Sequence, residues 1–289
     1  MPIIPASELP IERYHASAPR WWSKTSLRRF REEGAPWTGM WLRGEVEPST
    51  PDGVEQGMAI DCLLTEGAES LAKRFPCLPK DAPKKPSKSQ REAKKPSPDT
   101  VAAIAWWDAW NAAHPGAIVL SFEDRQILTE AADAIRRLPC WSEIEESQAQ
   151  ATVRRDSPGL GIGLQARPDW LHVGKGRLRD LKKTRSLAFF GKQAIDLDYH
   201  LQAAVAGWCL AGDGISIEQA SLVAVEWKRG ARAREYIIPH EALVEGDTRM
   251  REIAAEVADR YARGDWSDQQ AGPEVLPIPE YMLRRMGAA

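Results

Sequence analysis

Cysteine is scarce in this chain: four residues of 289, Cys62, Cys77, Cys140 and Cys209, with no CxxC pair among them. Such spacing supports neither a disulfide framework nor a zinc site, and it fits a reducing compartment. No apolar run approaches the ~18–20 residues that a membrane span needs. The opening MPIIPASELP lacks a basic segment followed by an apolar one, so no signal peptide is expected. Nothing repeats at a fixed period, which argues against a solenoid. An excess of one charge sign is missing too, since the net charge is −2. The expectation is a soluble cytoplasmic protein with no membrane segment.

What the chain does contain is a globular mix, 43% hydrophobic and 28% charged. Its length suits one large domain or two small ones. The twelve tryptophans exceed ordinary usage and suit core or groove-wall positions. The small net charge hides two basic stretches. From Lys73 to Lys95 nine Lys or Arg stand against Asp81 and Glu92, and from Arg167 to Lys192 eight stand against Asp169 and Asp180. One reading is a face that meets an anion; the plainer one is a solvated surface and a charged linker.

Hydrophobic spacing predicts helices first. One is capped by Ser23 or Thr25, carries Leu27 and Phe30, and stops near Gly34 and Pro36. Others cover about Val54–Leu64, Glu69–Phe75, Val101–Ala113 and Phe122–Leu138. Between Pro76 and Pro98 six prolines with many Lys and Ser read as a flexible basic loop. Alternating segments at Gln150–Arg155, Ile162–Leu171 and Arg177–Lys183, separated by SPG and GKG turns, predict antiparallel strands. Helical spacing returns at Leu197, Leu201, Val205 and Trp208. Strands at Ala220–Trp227 and Arg234–Ile238 and a helix over His240–Arg263 follow. Strands clustered between helices point to a mixed α+β or α/β core.

The chemistry concentrates in Arg167-Pro168-Asp169-Trp170, a hairpin, and Asp180-Leu181-Lys182-Lys183-Thr184. Alternation along a strand sends Asp180 and Lys182 to one face. The hairpin can bring the Asp169 carboxylate beside Asp180, and two converging carboxylates repel unless a cation sits between them. Hard oxygen ligands suit Mg²⁺ or Mn²⁺. The Lys182 ammonium could orient or deprotonate a water, or stabilise charge developing on a phosphate. Arg167, Lys183 and Arg185 flank the carboxylates and could contact phosphates, or simply balance the acids. The Trp106-Trp107-Asp108-Ala109-Trp110 run suits helix packing, with base stacking as the alternative. His172 and His200 read either as surface residues or as substrate contacts.

These residues resemble the PD-(D/E)XK nuclease superfamily, and within it the exodeoxyribonuclease VIII type of phage and prophage recombination nuclease. The likeness covers most of the chain. Tyr14-His15 with Ser26-Leu27 and Phe30 is similar to that family's opening. Gly57-Met58-Ala59-Ile60-Asp61 is similar to its G-x-A-x-H helix, and His114-Pro115-Gly116 before the next long helix also fits. The RPDW and DLKKT strands and the Tyr199-His200-Leu201-Gln202 helix complete the match. Three positions differ: Asp61 replaces a histidine, Gln150 stands where related sequences often offer a glutamate, and Ala206 takes the tyrosine place of Q-x-x-x-Y.

The resemblance implies a single restriction-endonuclease-like domain over residues 1–289, with a central mixed sheet flanked by helices. Residues 76–100 would be a basic loop and 265–289 a peripheral tail. It implies Asp169 and Asp180 as metal ligands, with Asp61 able to join them, Lys182 as the catalytic lysine, and Gln202 positioning the site or DNA. One or two Mg²⁺ or Mn²⁺ ions and no iron–sulfur cluster are implied. So are duplex DNA ends as substrate, 5′ to 3′ digestion, a single-strand annealing partner and a homo-oligomeric ring. The setting would be a bacterial or prophage-encoded cytoplasmic protein. Two other readings stand beside it: a catalytically weakened DNA-binding recombination accessory, and a structure-specific endonuclease of the same superfamily.

Overall fold

The computed structural model describes residues 3–17, 20–48, 54–156, 161–267 and 282. The Ser157-Pro158-Gly159 turn and nearly all of the 265–289 tail lie outside them. The first half is helical: α1 (Ile11–Ala16), a short β1 (Trp21–Trp22), α2 (Lys24–Leu42), α3 (Val54–Thr65), α4 (Gly67–Arg74), α5 (Lys88–Arg91), α6 (Pro98–Ala113), α7 (Phe122–Arg136) and α8 (Trp141–Glu145). Then come β2 (Gln148–Ala149), β3 (Val153–Arg155), β4 (Gly163–Ala166), β5 (Trp170–His172) and β6 (Arg177–Thr184). The chain closes with α9 (Phe190–Asp196), α10 (Tyr199–Ala211), β7 (Gln219–Glu226), β8 (Ala233–Ile237) and α11 (His240–Arg263).

The expected mixed sheet flanked by helices is present, but the strands divide between two sheets. Among the described residues a five-stranded sheet runs β2-β5-β6-β7-β8, and a three-stranded sheet runs β1-β4-β3. In the larger sheet β6 and β7 are parallel and their neighbours antiparallel. Parallel pairing requires a crossover, which α9 and α10 supply. The expected single strand over Ile162–Leu171 is therefore two strands, β4 and β5, in different sheets. Pro168 has no N–H to give to a ladder, so the pairing breaks there.

β7 explains how the layers stack. Its Ala220, Leu222 and Ala224 join a core with Leu27 and Phe30 of α2, Leu201 and Val205 of α10, and Met250 and Ile253 of α11. Its Val223 and Val225 face a second core built by Ile60 of α3, Leu71 of α4, Leu128 and Ile135 of α7 and Ile144 of α8. A strand buried on both faces reads as a continuous apolar run, as SLVAVE does. α11 crosses α10 closely at Gly246, where a Cβ would lie 3.0 Å from both the Ala204 Cβ and the His200 carbonyl oxygen.

Two local expectations are corrected. The helix begun by the Ser23 capping box does not end at Gly34. That residue takes φ 81°, a kink, and the helix resumes through Pro36 to Leu42. Nor is the Pro76–Pro98 segment an unattached linker. The Trp107 indole donates to the Pro83 carbonyl at 2.9 Å, and Arg91 pairs with Asp108 at 2.9 Å, fastening the segment to α6. Trp107 is buried by that contact, while Trp106 stacks on Trp110 at 5.3 Å between ring centres. No helix among the described residues is long and apolar enough to cross a membrane.

Candidate active site

The site forms where the chain changes sheets. β2 and β3 are joined through Gln150, which takes a left-handed φ of 53°, and β4 and β5 are joined through Pro168 and Asp169. The two crossings run side by side, with the Gln150 N–H donating to the Asp169 carbonyl at 2.9 Å. β5 pairs with β6 only as far as Trp170 opposite Arg179. Beyond that point no strand among the described residues pairs with this edge of β6, and the Asp169 carboxylate takes its place. Its Oδ2 accepts the Leu181 N–H at 2.6 Å, and its Oδ1 accepts from the Gln150 side-chain amide at 2.7 Å.

Asp180, 3% exposed, lies one residue further along β6 from this seam. Alternation turns Asp180 and Lys182 to the Leu178 face, the face covered by α2 and α10. The Lys182 ammonium donates to Asp180 Oδ2 at 2.8 Å and sits 4.8 Å from the centre of the Tyr199 ring. Asp61 arrives from α3 on the opposite face. Asp169 stands between, feeling first the penalty of its own burial and then the charges of Asp180 and Asp61, so its pKa is raised well above the carboxylate range. For Lys182 burial favours the neutral amine, but Asp180 and Asp169 outweigh it and the pKa is raised. Lys182 is therefore an ammonium at neutral pH.

The residues suit a hard divalent cation. Among the described residues Asp180 Oδ1 and Asp61 Oδ1 are buried without a hydrogen-bond partner. A buried, undonated carboxylate oxygen is costly, and a cation would satisfy it. Among the described residues no three His, Cys, Asp or Glu gather into one cage. Asp169 feels the charges of both Asp180 and Asp61. Mg²⁺ needs no such cage, because it commonly keeps several waters and uses one or two carboxylates.

Asp61 gives a direct check. Burial raises its pKa from 3.8 to about 6, and a contact from the Gln150 amide pulls it partly back. In that window the folded state binds the proton more tightly than the unfolded chain. This group's contribution to stability therefore falls as pH rises from about 4 to about 6. Urea unfolding should show Asp61→Asn removing about 3 kcal/mol of that pH dependence in the metal-free protein.

The remaining site expectations divide. Arg167 is half-buried and turned into the fold. Its Nε donates to Gln150 Oε1 at 3.0 Å and its NH1 to the Leu9 carbonyl at 2.6 Å, so it braces the seam. Lys183 turns to the other face and bonds to Gln56 of α3. Arg185 is exposed, just past the end of β6. Gln202 is half-buried on α10, and none of the hydrogen bonds described for Asp169, Asp180 and Lys182 reaches it. Ala206 is buried in the core. His172 and His200 lie beside Glu146 and Glu245.

Much of the basic stretch from Arg167 to Lys192 is answered by side chains of the fold. Lys175 pairs with Glu143 and Glu146, Arg179 with Glu143 and Glu235, and Lys192 with Asp196. Two residues close to the carboxylates had no assigned role in the sequence, Tyr199 and Lys24. Tyr199 opens α10 in the YHLQ segment, whose likeness to the nuclease helix was the available signal.

Compared with known proteins, the chain is similar to the crystal structure of a candidate exonuclease from Eubacterium rectale. The TM-score is 0.60 at 13% identity, over 97% of this chain and 99% of that one. At such identity the likeness establishes the fold. A phage-related exonuclease from Haemophilus somnus 129PT matches at a TM-score of 0.33 and 14% identity, over 63% of this chain and 92% of that one. That score is too low to carry an argument. No protein-family model and no curated protein matches the chain.

Proposed function

We propose that this protein is a metal-dependent nuclease of the PD-(D/E)XK type, acting as an exonuclease on linear double-stranded DNA. The observation that carries the reading is the Asp169–Asp180–Lys182 cluster at the sheet seam, with one buried oxygen each of Asp180 and the neighbouring Asp61 left without a donor among the described residues. Asp169 and Asp180, with Asp61, would hold one or two Mg²⁺ or Mn²⁺. Such an ion polarises a phosphoryl oxygen and acidifies a bound water. Lys182 enters as an ammonium and not as a base, so its part is to stabilise negative charge building on the phosphate. Asp180 keeps it protonated, and Tyr199 holds it in place through the ring face. Gln150 and the Leu181 N–H fix the Asp169 carboxylate, and Arg167 fixes Gln150. Digestion from the 5′ end, a ring-shaped oligomer and a single-strand annealing partner belong to the same proposal, on the resemblance alone.

A second reading is supported by Asp169. Both of its oxygens already have donors, so that carboxylate is satisfied without a cation. This favours a DNA-binding accessory that has kept the fold and lost the reaction. One experiment separates the readings: an end-labelled linear duplex and a covalently closed circle, each with Mg²⁺, Mn²⁺ or chelator. Metal-dependent loss of the linear duplex alone is expected. Cleavage of the circle would make the protein an endonuclease. DNA binding without any cleavage would establish the accessory.

A further inference from the structure

The edge of β6 that β5 leaves open is closed by two side chains. Backbone groups alternate along a strand, so Arg179, Leu181 and Lys183 turn their N–H and C=O groups to this edge. At Leu181 the N–H goes to the Asp169 carboxylate. At Lys183 the carbonyl accepts from the side-chain amide of Gln193 at 3.1 Å. Gln193 is half-buried on α9, in the crossover between β6 and β7. Its own Oε1 accepts the Thr184 hydroxyl at 2.8 Å, so one side chain grips the last two residues of the strand that carries Asp180 and Lys182. Thr184 is buried, where a hydroxyl without a partner is costly.

The same amide reaches the aromatic ring of the site. Gln193 Nε2 donates to the Tyr199 hydroxyl at 3.4 Å, and the ring of Tyr199 carries the Lys182 ammonium at 4.8 Å from its centre. A primary amide has two N–H groups, one for the Lys183 carbonyl and one for the phenol oxygen. Tyr199 needs such an anchor. It is the first residue of α10, and Asp198 before it takes a left-handed φ of 50° and gives the helix no side-chain cap. Phe190 flanks the ring at 6.2 Å between centres, while Gln193 fixes its hydroxyl end. Lys182 thus hangs between its own strand and a ring from another element, and Gln193 joins the two. Gln202, the glutamine that the sequence resemblance nominates, takes no part in these bonds.

We propose that Gln193 is a positioning residue for Lys182: by tying the Tyr199 hydroxyl to the end of β6, it keeps the ring face against the ammonium. This role rests on the nuclease reading for its reaction, but its first test needs no cleavage. In metal-free protein carrying ¹³C-labelled lysine, the Lys182 ε-methylene signal is assigned by its absence in Lys182→Arg. It should stand upfield, because the end of this side chain lies over an aromatic ring. Gln193→Met keeps the length of the side chain and removes its hydrogen bonds, so the signal should move back toward the ordinary lysine position. Tyr199→Phe keeps the ring, removes the hydroxyl and should move the signal in the same direction. Adding Gln193→Met to Tyr199→Phe should move it little further, because the tie is already cut. Lys192→Ala, on the same helix but paired with Asp196, should not move it. With DNA and Mg²⁺, Gln193→Met should lower kcat about tenfold and leave KM unchanged, the loss of a hydrogen bond felt in the transition state.

A lowered melting temperature in Gln193→Met with the Lys182 signal unmoved would overturn the proposal and leave Gln193 as a closure of the chain after β6. So would a displacement as large in the Tyr199→Phe background as in the unaltered protein, since Gln193 would then not act through the phenol. If Gln193→Met does not fold, Tyr199→Phe decides alone, and an unmoved signal there overturns the tie. Metal-dependent hydrolysis with an unmoved signal would keep the nuclease and remove the tie. A displaced signal in a protein that hydrolyses no DNA would keep the tie and remove the nuclease.

Discussion

Lys182→Met should lower DNA hydrolysis by about 10²–10⁴-fold, the range for loss of a positioned catalytic group. The same change should lower stability by about 3–5 kcal/mol in the absence of metal, because Asp180 would stay buried with its charge unanswered. The pair is well enclosed, with side-chain exposures of 14% for Lys182 and 4% for Asp180, so solvent screening does little to soften the loss. Added Mg²⁺ should restore much of the stability, since a cation replaces the missing ammonium beside Asp180, but not the activity. Chemical denaturation and label release, each with and without Mg²⁺, read the two effects separately. If activity fell only in proportion to the unfolded fraction, Lys182 would be a structural counter-ion and no more.

Gln150→Glu is expected to make the fold depend on divalent metal. The glutamine amide now donates to Asp169 while its carbonyl accepts from Arg167. A glutamate keeps the acceptor and loses the donor, so two carboxylates meet where one amide bridged them. The metal-free protein should lose about 1–3 kcal/mol, or keep one of the pair protonated. With Mg²⁺ the extra carboxylate becomes a ligand, and the melting temperature should rise more steeply with metal concentration than in the unaltered protein. Equal metal dependence in both proteins would place the cation away from Asp169.

The legible parts of the fold were those with a strict period. β7 stands out as a short apolar run, and the period of two along DLKKT gives the common face of Asp180 and Lys182 directly. α7 and α11 carry apolar stripes at helical spacing and lie where expected. The seam was not legible. Ile162–Leu171 reads as one strand because side-chain pattern says nothing about which sheet a strand joins, and only Pro168 marks the break. Gln150 appeared as a missing acid, whereas its amide is what joins Asp169 to Arg167. The partners of the basic run from Arg167 to Lys192 were not legible for a different reason. Charge counted along a sequence cannot see Glu143 and Glu235, which meet Arg179 from other elements. Lys24 carried no signal at all, since only the fold brings it to the ring of Tyr199, far away in the chain.

The paired crossing at Gln150 and Asp169 has a mechanical side. One carboxylate of the cluster belongs to the junction between two sheets, while Asp180 and Lys182 belong wholly to the larger one. The gap between Asp169 and Asp180 is therefore set by how the small sheet is held against the large one, through the Asp169 bond to the Leu181 N–H. Arg167 braces that junction, tied at one end to Gln150 and at the other to the carbonyl of Leu9, while Ile4 pairs with Thr152 at the rim. The opening segment of the chain thus acts as a tie-rod, setting the jaw in which the carboxylates stand.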